Sequence, residues 1–394
     1  MKFRGLFIVF NILIIFVITG CDLLPESSSL IRVPQYSQVV SDNEEDIKLV
    51  AKRFLPEGAN FLYPMSPKGT DAVQLADIDD DGLKEMLVTF QGTSEESSLG
   101  AIVLKRNNGE WKEIWMGEEQ VNVVSLEFAQ FVDITDDKIC ELLLGWSLGY
   151  GIGSNLEIIS FKDTPKQVSS IRYNKIEVFD ISPNENGRTP EIILTRKEDS
   201  QREEDIPPLV LRWVEDGLVP AEDAYNEYYK DRIKTLKESS SPYDRNFLKW
   251  YYLSLMQVRS KRSDEAIDSV GRALNTISAD YEKFRIKLEI YKAEALIQKE
   301  QYLEASVLLK SIIDRNESGQ IKCTQDELAA VKLNFGRACV GLGDYGTAEH
   351  NYIESYNIIK DVYGEGTALF ILNSYTVKRE LEGLENSRKY YNTK

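Results

Sequence analysis

The run Asp77-Ile78-Asp79-Asp80-Asp81-Gly82-Leu83-Lys84-Glu85-Met86-Leu87-Val88-Thr89-Phe90 decides how the first half of this chain reads. It sets a crowded acidic turn between two apolar stretches, Ala72-Val73-Gln74-Leu75-Ala76 before it and residues 85 to 90 after it. Both stretches have the length and composition of short β-strands. Further strand-like segments follow at Ala101-Ile102-Val103-Leu104 and at residues 111 to 115.

The same order returns twice. Residues 128 to 132 lead into Asp133-Ile134-Thr135-Asp136-Asp137, then Glu141-Leu142-Leu143-Leu144-Gly145-Trp146 and residues 156 to 161. Ile176-Glu177-Val178-Phe179 leads into Asp180-Ile181-Ser182 and an Asn-containing turn, then Glu191-Ile192-Ile193-Leu194-Thr195 and Leu209-Val210-Leu211-Arg212-Trp213. Each unit reads "Asp-Ile-x", a polar turn, and a glutamate followed by three aliphatic residues. The leading aspartates stand 56 and 47 residues apart, a repeat of about propeller-blade length.

These units, over residues 73 to 220, resemble the FG-GAP/VCBS repeats of extracellular β-propellers. The resemblance implies β-propeller-like blades, with calcium held in the acidic loop between the first two strands of a blade. Three units fall short of the about four to eight blades of a ring, so a partial or atypical propeller is an equal alternative. The second loop departs from the pattern with Lys138 where the first has Gly82, and the third is longer.

A physical case for calcium at the first loop stands beside the family one. Calcium takes about six to eight hard oxygens from a sharply turned loop. Asp77, Asp79 and Asp81 stand at the first, third and fifth positions, Gly82 follows, the Leu83 carbonyl comes next, and Glu85 is ninth. The twelfth position is Val88, which excludes an EF-hand. The same residues would also make an Asx-rich hairpin turn that keeps its shape without metal.

Gly149-Tyr150-Gly151-Ile152-Gly153 imitates a nucleotide-binding loop. A strand-like segment follows it, so no helix N-terminus awaits a phosphate, and it reads as a hairpin connection.

From Tyr225 onward the alternation gives way to helical periodicity. Ala266, Ala305 and Ala348, spaced by 39 and 43 residues, mark places where paired helices approach closely. The clearest unit carries Gly336, then Gly343-Asp344-Tyr345 at a turn, then Ala348, Tyr352 and Ser355. These units resemble the tetratricopeptide repeat, a two-helix module of about 34 residues. The resemblance implies an α-helical solenoid, closed by a helix near residues 367 to 385, whose groove binds a peptide or partner protein.

The chain opens Met1-Lys2-Phe3-Arg4 and runs apolar to Ile18, interrupted only by Asn11. That run is shorter than the ~20 residues of a spanning helix and ends in Val17-Ile18-Thr19-Gly20-Cys21, a signal-peptide profile. The last five residues resemble the lipobox of bacterial lipoproteins. This implies cleavage before Cys21, a diacylglycerol on its thiol, and a chain anchored by lipid on the extracytoplasmic face of the cell membrane. An uncleaved signal anchor is the alternative.

The expected organisation is therefore multidomain β and α: a signal peptide at residues 1 to 20, a Ser- and Pro-containing tether at 21 to 43, a β-repeat domain at 44 to 222 and a helical-repeat domain at 223 to 394.

The 394 residues carry a formal net charge of −17, and cleavage would remove Lys2 and Arg4 as well. Such a surface repels phosphate backbones and argues against nucleic acid as a partner. Beyond Cys21 the cysteines are Cys140, Cys323 and Cys339, an odd set with no CxxC pair, expected as small buried residues. The only histidine, His350, lies in a helical unit between Glu349 and Asn351, so catalytic triads and imidazole-rich zinc sites have little to build on. No catalytic motif stands out. The sequence reads as a non-catalytic protein-binding or scaffolding lipoprotein. The alternative is an envelope glycan-binding or glycan-hydrolysing one, using two carboxylates or exposed aromatics such as Trp146 and Tyr150.

Overall fold

The computed structural model describes residues 44 to 92, 98 to 117, 122 to 181, 189 to 196, 207 to 238 and 246 to 392. The proposed signal peptide, Cys21 and the tether lie outside these residues, as does most of the third acidic turn. The described chain is mixed, with antiparallel β-sheets followed by a C-terminal helical region.

Helix α1 (Glu44–Lys52) precedes the first sheet, formed by β1 (Asn60–Phe61), β2 (Val73–Ala76), β3 (Glu85–Gln91), β4 (Leu99–Asn107) and β5 (Glu110–Met116). Both β1 and β2 pair with β3, and the order then runs β3-β4-β5. The second sheet is a meander of β6 (Ser125–Val132), β7 (Glu141–Ser147), β8 (Ser154–Ser160) and β9 (Lys166–Tyr173). The third repeats it with β10 (Lys175–Phe179), β11 (Glu191–Thr195), β12 (Leu209–Val214) and β13 (Gly217–Pro220).

The three-aliphatic signature follows from how the sheets stack. A strand buried on one face alternates polar and apolar residues, whereas one buried on both faces reads as a continuous apolar run. Leu142 and Leu144 of β7 pack toward the first sheet with Leu87, Ala101 and Val103, while Leu143 packs the other way with Ile176, Ile192 and Leu211 of the third. On the far side of the first sheet Met86, Val88 and Ile102 meet Ala51 of α1. On the far side of the third, Ile193 and Val210 meet the first helices of the C-terminal region. The order is thus helix, three sheets, helices, and among the described residues the first and third sheets share no core cluster.

Helix α2 (Tyr225–Glu238) lies against the third sheet, with Tyr225, Tyr229 and Ile233 buried. Three antiparallel hairpins follow: α3 (Phe247–Arg259) with α4 (Ser263–Thr276), α5 (Arg285–Gln298) with α6 (Tyr302–Glu317), and α7 (Gln325–Gly341) with α8 (Tyr345–Tyr363). The predicted contact residues Ala266, Ala305 and Ala348 are all fully buried. Gly336 is required by close approach, since a Cβ there would stand 2.4 Å from Tyr352 Cε1. Each hairpin turn places one residue in the left-handed region: Lys261 (φ 57°), Glu300 (φ 60°) and Gly343 (φ 80°). A capping box of Thr324 and Glu327 starts α7, and the Asp344 side chain accepts from the Thr347 amide at the start of α8.

The last helix, α9 (Ala368–Asn392), returns to the sheets. Phe370, Val377 and Leu384 complete the core of α7 and α8, while Leu372 enters the core between the second and third sheets and Ile371 packs on Gly217. The helical region leaves the third sheet at α2 and meets it again at α9, and the described residues belong to one compact unit. Among the described residues no helix is long and apolar enough to cross a membrane.

Candidate functional site

The first acidic turn is built by its own side chains. Asp77 accepts the amides of Asp81 at 3.2 Å and Gly82 at 2.9 Å, and Asp81 accepts the amide of Leu83 at 2.8 Å. These Asx bonds close the loop, with Asp80 (φ 57°) and Gly82 (φ 82°) in the left-handed region where short polar residues and glycine are tolerated. The Leu83 side chain is exposed.

Glu85 begins β3 beneath the loop and is fully buried. Its Oε2 accepts the Ile78 amide at 3.0 Å, tying the end of the turn to its start. Its Oε1 makes no hydrogen bond and lies 3.4 Å from Lys105 Nζ. Oxygens of Asp77, Asp79 and Glu85 lie within 4.8 Å of one another. Asp81 stands outside that group, with one oxygen on the Leu83 amide and the other 2.8 Å from Lys105 Nζ. The Lys105 ammonium also hydrogen-bonds Asp79.

Electrostatics follow from this placement. Lys105 and the Leu83 amide hold Asp81 below the usual carboxylate range. Burial pushes Glu85 upward, against the Ile78 hydrogen bond and with help from the charge of Asp79. Lys105 stays firmly protonated, its partial burial outweighed by Asp79 and Asp81.

The other two units repeat the arrangement. Glu141 and Glu191 are each 1% exposed, and each accepts the amide of the isoleucine after the leading aspartate: Ile134 at 3.2 Å and Ile181 at 2.9 Å. In the second loop Asp133 accepts from Asp136 and Lys138, and Lys138 occupies the left-handed place (φ 68°) that Gly82 takes in the first. The substitution of glycine therefore leaves the turn type intact.

The groups facing the glutamates were missed in the sequence. The ladder registers pair Met86 with Leu104, Leu142 with Ile159 and Ile192 with Leu211. One step further along each, Lys105, Ser160 and Arg212 come opposite Glu85, Glu141 and Glu191. Arg212 binds Glu191 and Asp223, Ser160 donates to Glu141 at 3.4 Å, and Lys162, two residues on, reaches Asp137 at 3.0 Å. The signal was present: aligned on their glutamates, the units show one polar residue directly after the apolar run of the third strand. With a hydroxyl in place of a cation opposite it in the ladder, Glu141 is pushed by burial up to about 7, against the Ile134 hydrogen bond and with reinforcement from Asp137 and Asp133.

Other singled-out residues fall as follows. Trp146 is buried with its Nε1 on Glu157 at 2.9 Å, because β7 is flanked by two sheets, so it is not an exposed glycan-facing aromatic. Tyr150 is fully exposed at the tip of the β7-β8 connection. His350 is 71% exposed, 3.6 Å from Glu354. Cys140 and Cys339 are buried and Cys323 half-buried, all three as free thiols.

The α2 and α3 junction carries a second polar group: Arg259 donates to Tyr229 at 3.0 Å and lies over the Tyr225 ring, and Tyr229 donates to the Pro208 carbonyl. It fastens the helical region to the entry of β12. The hairpins leave large apolar side chains in solvent, among them Leu303 and Val307, one turn apart on α6, and Tyr345 and Ile353 on α8.

No family model matches the chain, and no curated protein matches it. Among solved structures, the apo form of RapI is similar at 15% identity and a TM-score of 0.31, over 44% of this chain and 60% of that one.

Proposed function

We propose that this protein is a membrane-anchored lipoprotein that works as a non-catalytic binding or scaffolding module on the extracytoplasmic face. In this reading Cys21 carries the lipid, the sheets are three blades of a partial propeller capped by helices at both ends, and the helical hairpins are tetratricopeptide-like repeats that hold a protein or peptide partner.

The observation that carries the binding role is the exposed apolar pair Leu303 and Val307, 66% and 64% exposed on one face of α6. Single exposed apolar residues are ordinary, but two large ones a turn apart make a helix stripe, the form a partner contact takes. Their replacement leaves the core untouched, because the buried face of α6 is Ala305, Leu309, Ile312 and Ile313.

The first acidic loop fits calcium in its donor set. Asp77, Asp79 and Glu85 converge closely enough to share one ion whose oxygen contacts run about 2.3–2.6 Å. Asp81 is turned to the Leu83 amide and to Lys105, and would have to swing inward to join them. The Oε1 of buried Glu85, which accepts no hydrogen bond and faces the Lys105 ammonium at 3.4 Å, is the strongest local support for this reading. Calcium would supply charge neutralisation and stiffen the turn, with no catalytic step.

The test of the binding role is affinity purification of the tagged full chain from its own membranes, comparing wild type with Leu303→Asp/Val307→Asp. A specific partner recovered with wild type and lost with the variant, at equal protein level and equal helical content, is the expected result. Identical recoveries would remove the α6 stripe as the contact and with it the main support for this function.

A further inference from the structure

We infer that Lys105 is the resident cation of the first acidic loop, and that a divalent ion binds there only by expelling its ammonium. The inference rests on the calcium reading above and adds what sets the affinity.

The ammonium hydrogen-bonds Asp79, lies 2.8 Å from Asp81 Oδ2 and lies 3.4 Å from Glu85 Oε1. Asp79 and Glu85 are the two carboxylates that converge with Asp77. A metal ion and the ammonium therefore claim the same two carboxylates, and like charges a few ångströms apart repel. Lys105 is placed by register, not by chance of surface rotamer: it leaves β4 at the step facing Glu85, as Arg212 leaves β12 facing Glu191. In the third unit the guanidinium is held by Glu191 and Asp223 and extends across the glutamate. In the first unit the lysine side chain is flexible and 29% exposed, so it has a path out to water.

Two consequences follow. Without calcium the loop keeps its shape, since the ammonium already offsets the repulsion among Asp79, Asp81 and Glu85. With calcium, the gain from coordination is reduced by the loss of these ion pairs, so the wild-type affinity is weak, and removal of the ammonium strengthens it.

The experiment is calorimetric titration of calcium chloride into the purified, chelator-stripped full chain, wild type against Lys105→Met and Lys105→Arg. Lys105→Met is expected to bind at least tenfold more tightly than wild type, and Lys105→Arg no more tightly. Equal affinities in wild type and Lys105→Met would overturn the role of Lys105 while leaving the calcium reading standing. No heat from either protein up to tens of millimolar calcium would overturn both.

Lysine labelling on the wild-type chain keeps the question open to refutation if Lys105→Met does not fold. Acetic anhydride modification read by peptide mass spectrometry should speed up at Lys105 several-fold on adding calcium, with other lysines unchanged. A Lys105 rate that is unchanged or falls under saturating calcium would sink the expulsion mechanism.

Discussion

Glu191 lies opposite Arg212 across β11 and β12, and the guanidinium reaches its buried carboxylate through Nε at 3.2 Å while Nη1 spans to Asp223 at 3.1 Å. The pair joins two strands of the third sheet at the edge where the helical region begins. A buried ion pair adds little over an apolar pair of the same shape, but breaking one side leaves an uncompensated charge. Arg212→Met is therefore expected to lower unfolding stability by about 3–5 kcal/mol in urea titrations. Adding Glu191→Gln should recover part of that loss, because the amide keeps an acceptor for the Ile181 amide without the charge. A double variant as unstable as the sum of the singles would show that the two side chains act independently.

The second unit gives the complementary case. Burial holds Glu141 neutral up to about pH 7, well above the ordinary glutamate value of 4.5. Between those values the folded state binds a proton that the unfolded state has released. The stability this group contributes is then full below about pH 4.5, falls as pH rises toward 7, and is constant above. The span corresponds to a loss on the order of 3 kcal/mol. Glu141→Gln stays neutral and keeps the acceptor for Ile134. Measured in chelator, its stability relative to wild type should rise through that window and level off near pH 7.5. Parallel profiles for the two proteins would contradict the shift.

Much of the fold was legible because the strongest signals have simple causes. The continuous runs at residues 86 to 88, 142 to 144 and 192 to 194 mark strands buried on both faces, and the acidic turns before them mark hairpins. The alanines at 266, 305 and 348 sit where helices cross. What escaped was polar or short. β9 carries Lys166, Gln167, Ser169, Ser170 and Arg172 and gives no apolar run, while β1 and β13 are two and four residues long.

The candidate site was legible only in its acidic half. Spacing within a loop exposes Asp77, Asp79, Asp81 and Glu85, but a partner on a neighbouring strand is found only through register, and Lys105 is 20 residues beyond Glu85. The return of α9 to the sheets was equally hidden. Leu372 reads as one more residue of a helix core, and nothing local says that its core belongs to β-strands.

Gly336 tests the helical packing. A Cβ there would meet Tyr352 Cε1 at 2.4 Å, Cδ1 at 2.6 Å and the Ala348 carbonyl at 3.1 Å, and the tyrosine is fully buried with its hydroxyl toward Glu380. Overpacking of this kind costs about 1–3 kcal/mol, and the higher helix propensity of alanine offsets at most about 1 kcal/mol. Gly336→Ala should be destabilised in thermal melts, and Tyr352→Leu should be less harmful in the Gly336→Ala background than alone. Additive effects would place the clash elsewhere.

Lipid attachment at Cys21 has a direct assay. In cells fed labelled palmitate, the wild-type chain should take up label and fractionate with membrane. Cys21→Ala should take up none, and should either remain unprocessed or leave the membrane. Equal labelling of both proteins would refute the anchor.

The last helix links the two halves of the fold and gives the widest prediction. Leu372 packs with Ile176, Val178, Leu211 and Leu218, and Trp213 packs against the same cluster, so the indole of a β12 residue reports on a contact made by α9. Leu372→Asp would bury a carboxylate among aliphatic side chains, a change that costs several kcal/mol unless the helix undocks. Undocking removes a cover from the sheet core and from Phe370, Val377 and Leu384 of the helical core together. The variant should therefore show a red-shifted tryptophan emission and a lower melting temperature in both the β- and α-signals of circular dichroism. Leu372→Met, which keeps the volume, should stay within about 1.5 kcal/mol of wild type. If Leu372→Asp shifts the helical signal alone and leaves the tryptophan emission unchanged, α9 does not dock on the sheets in solution.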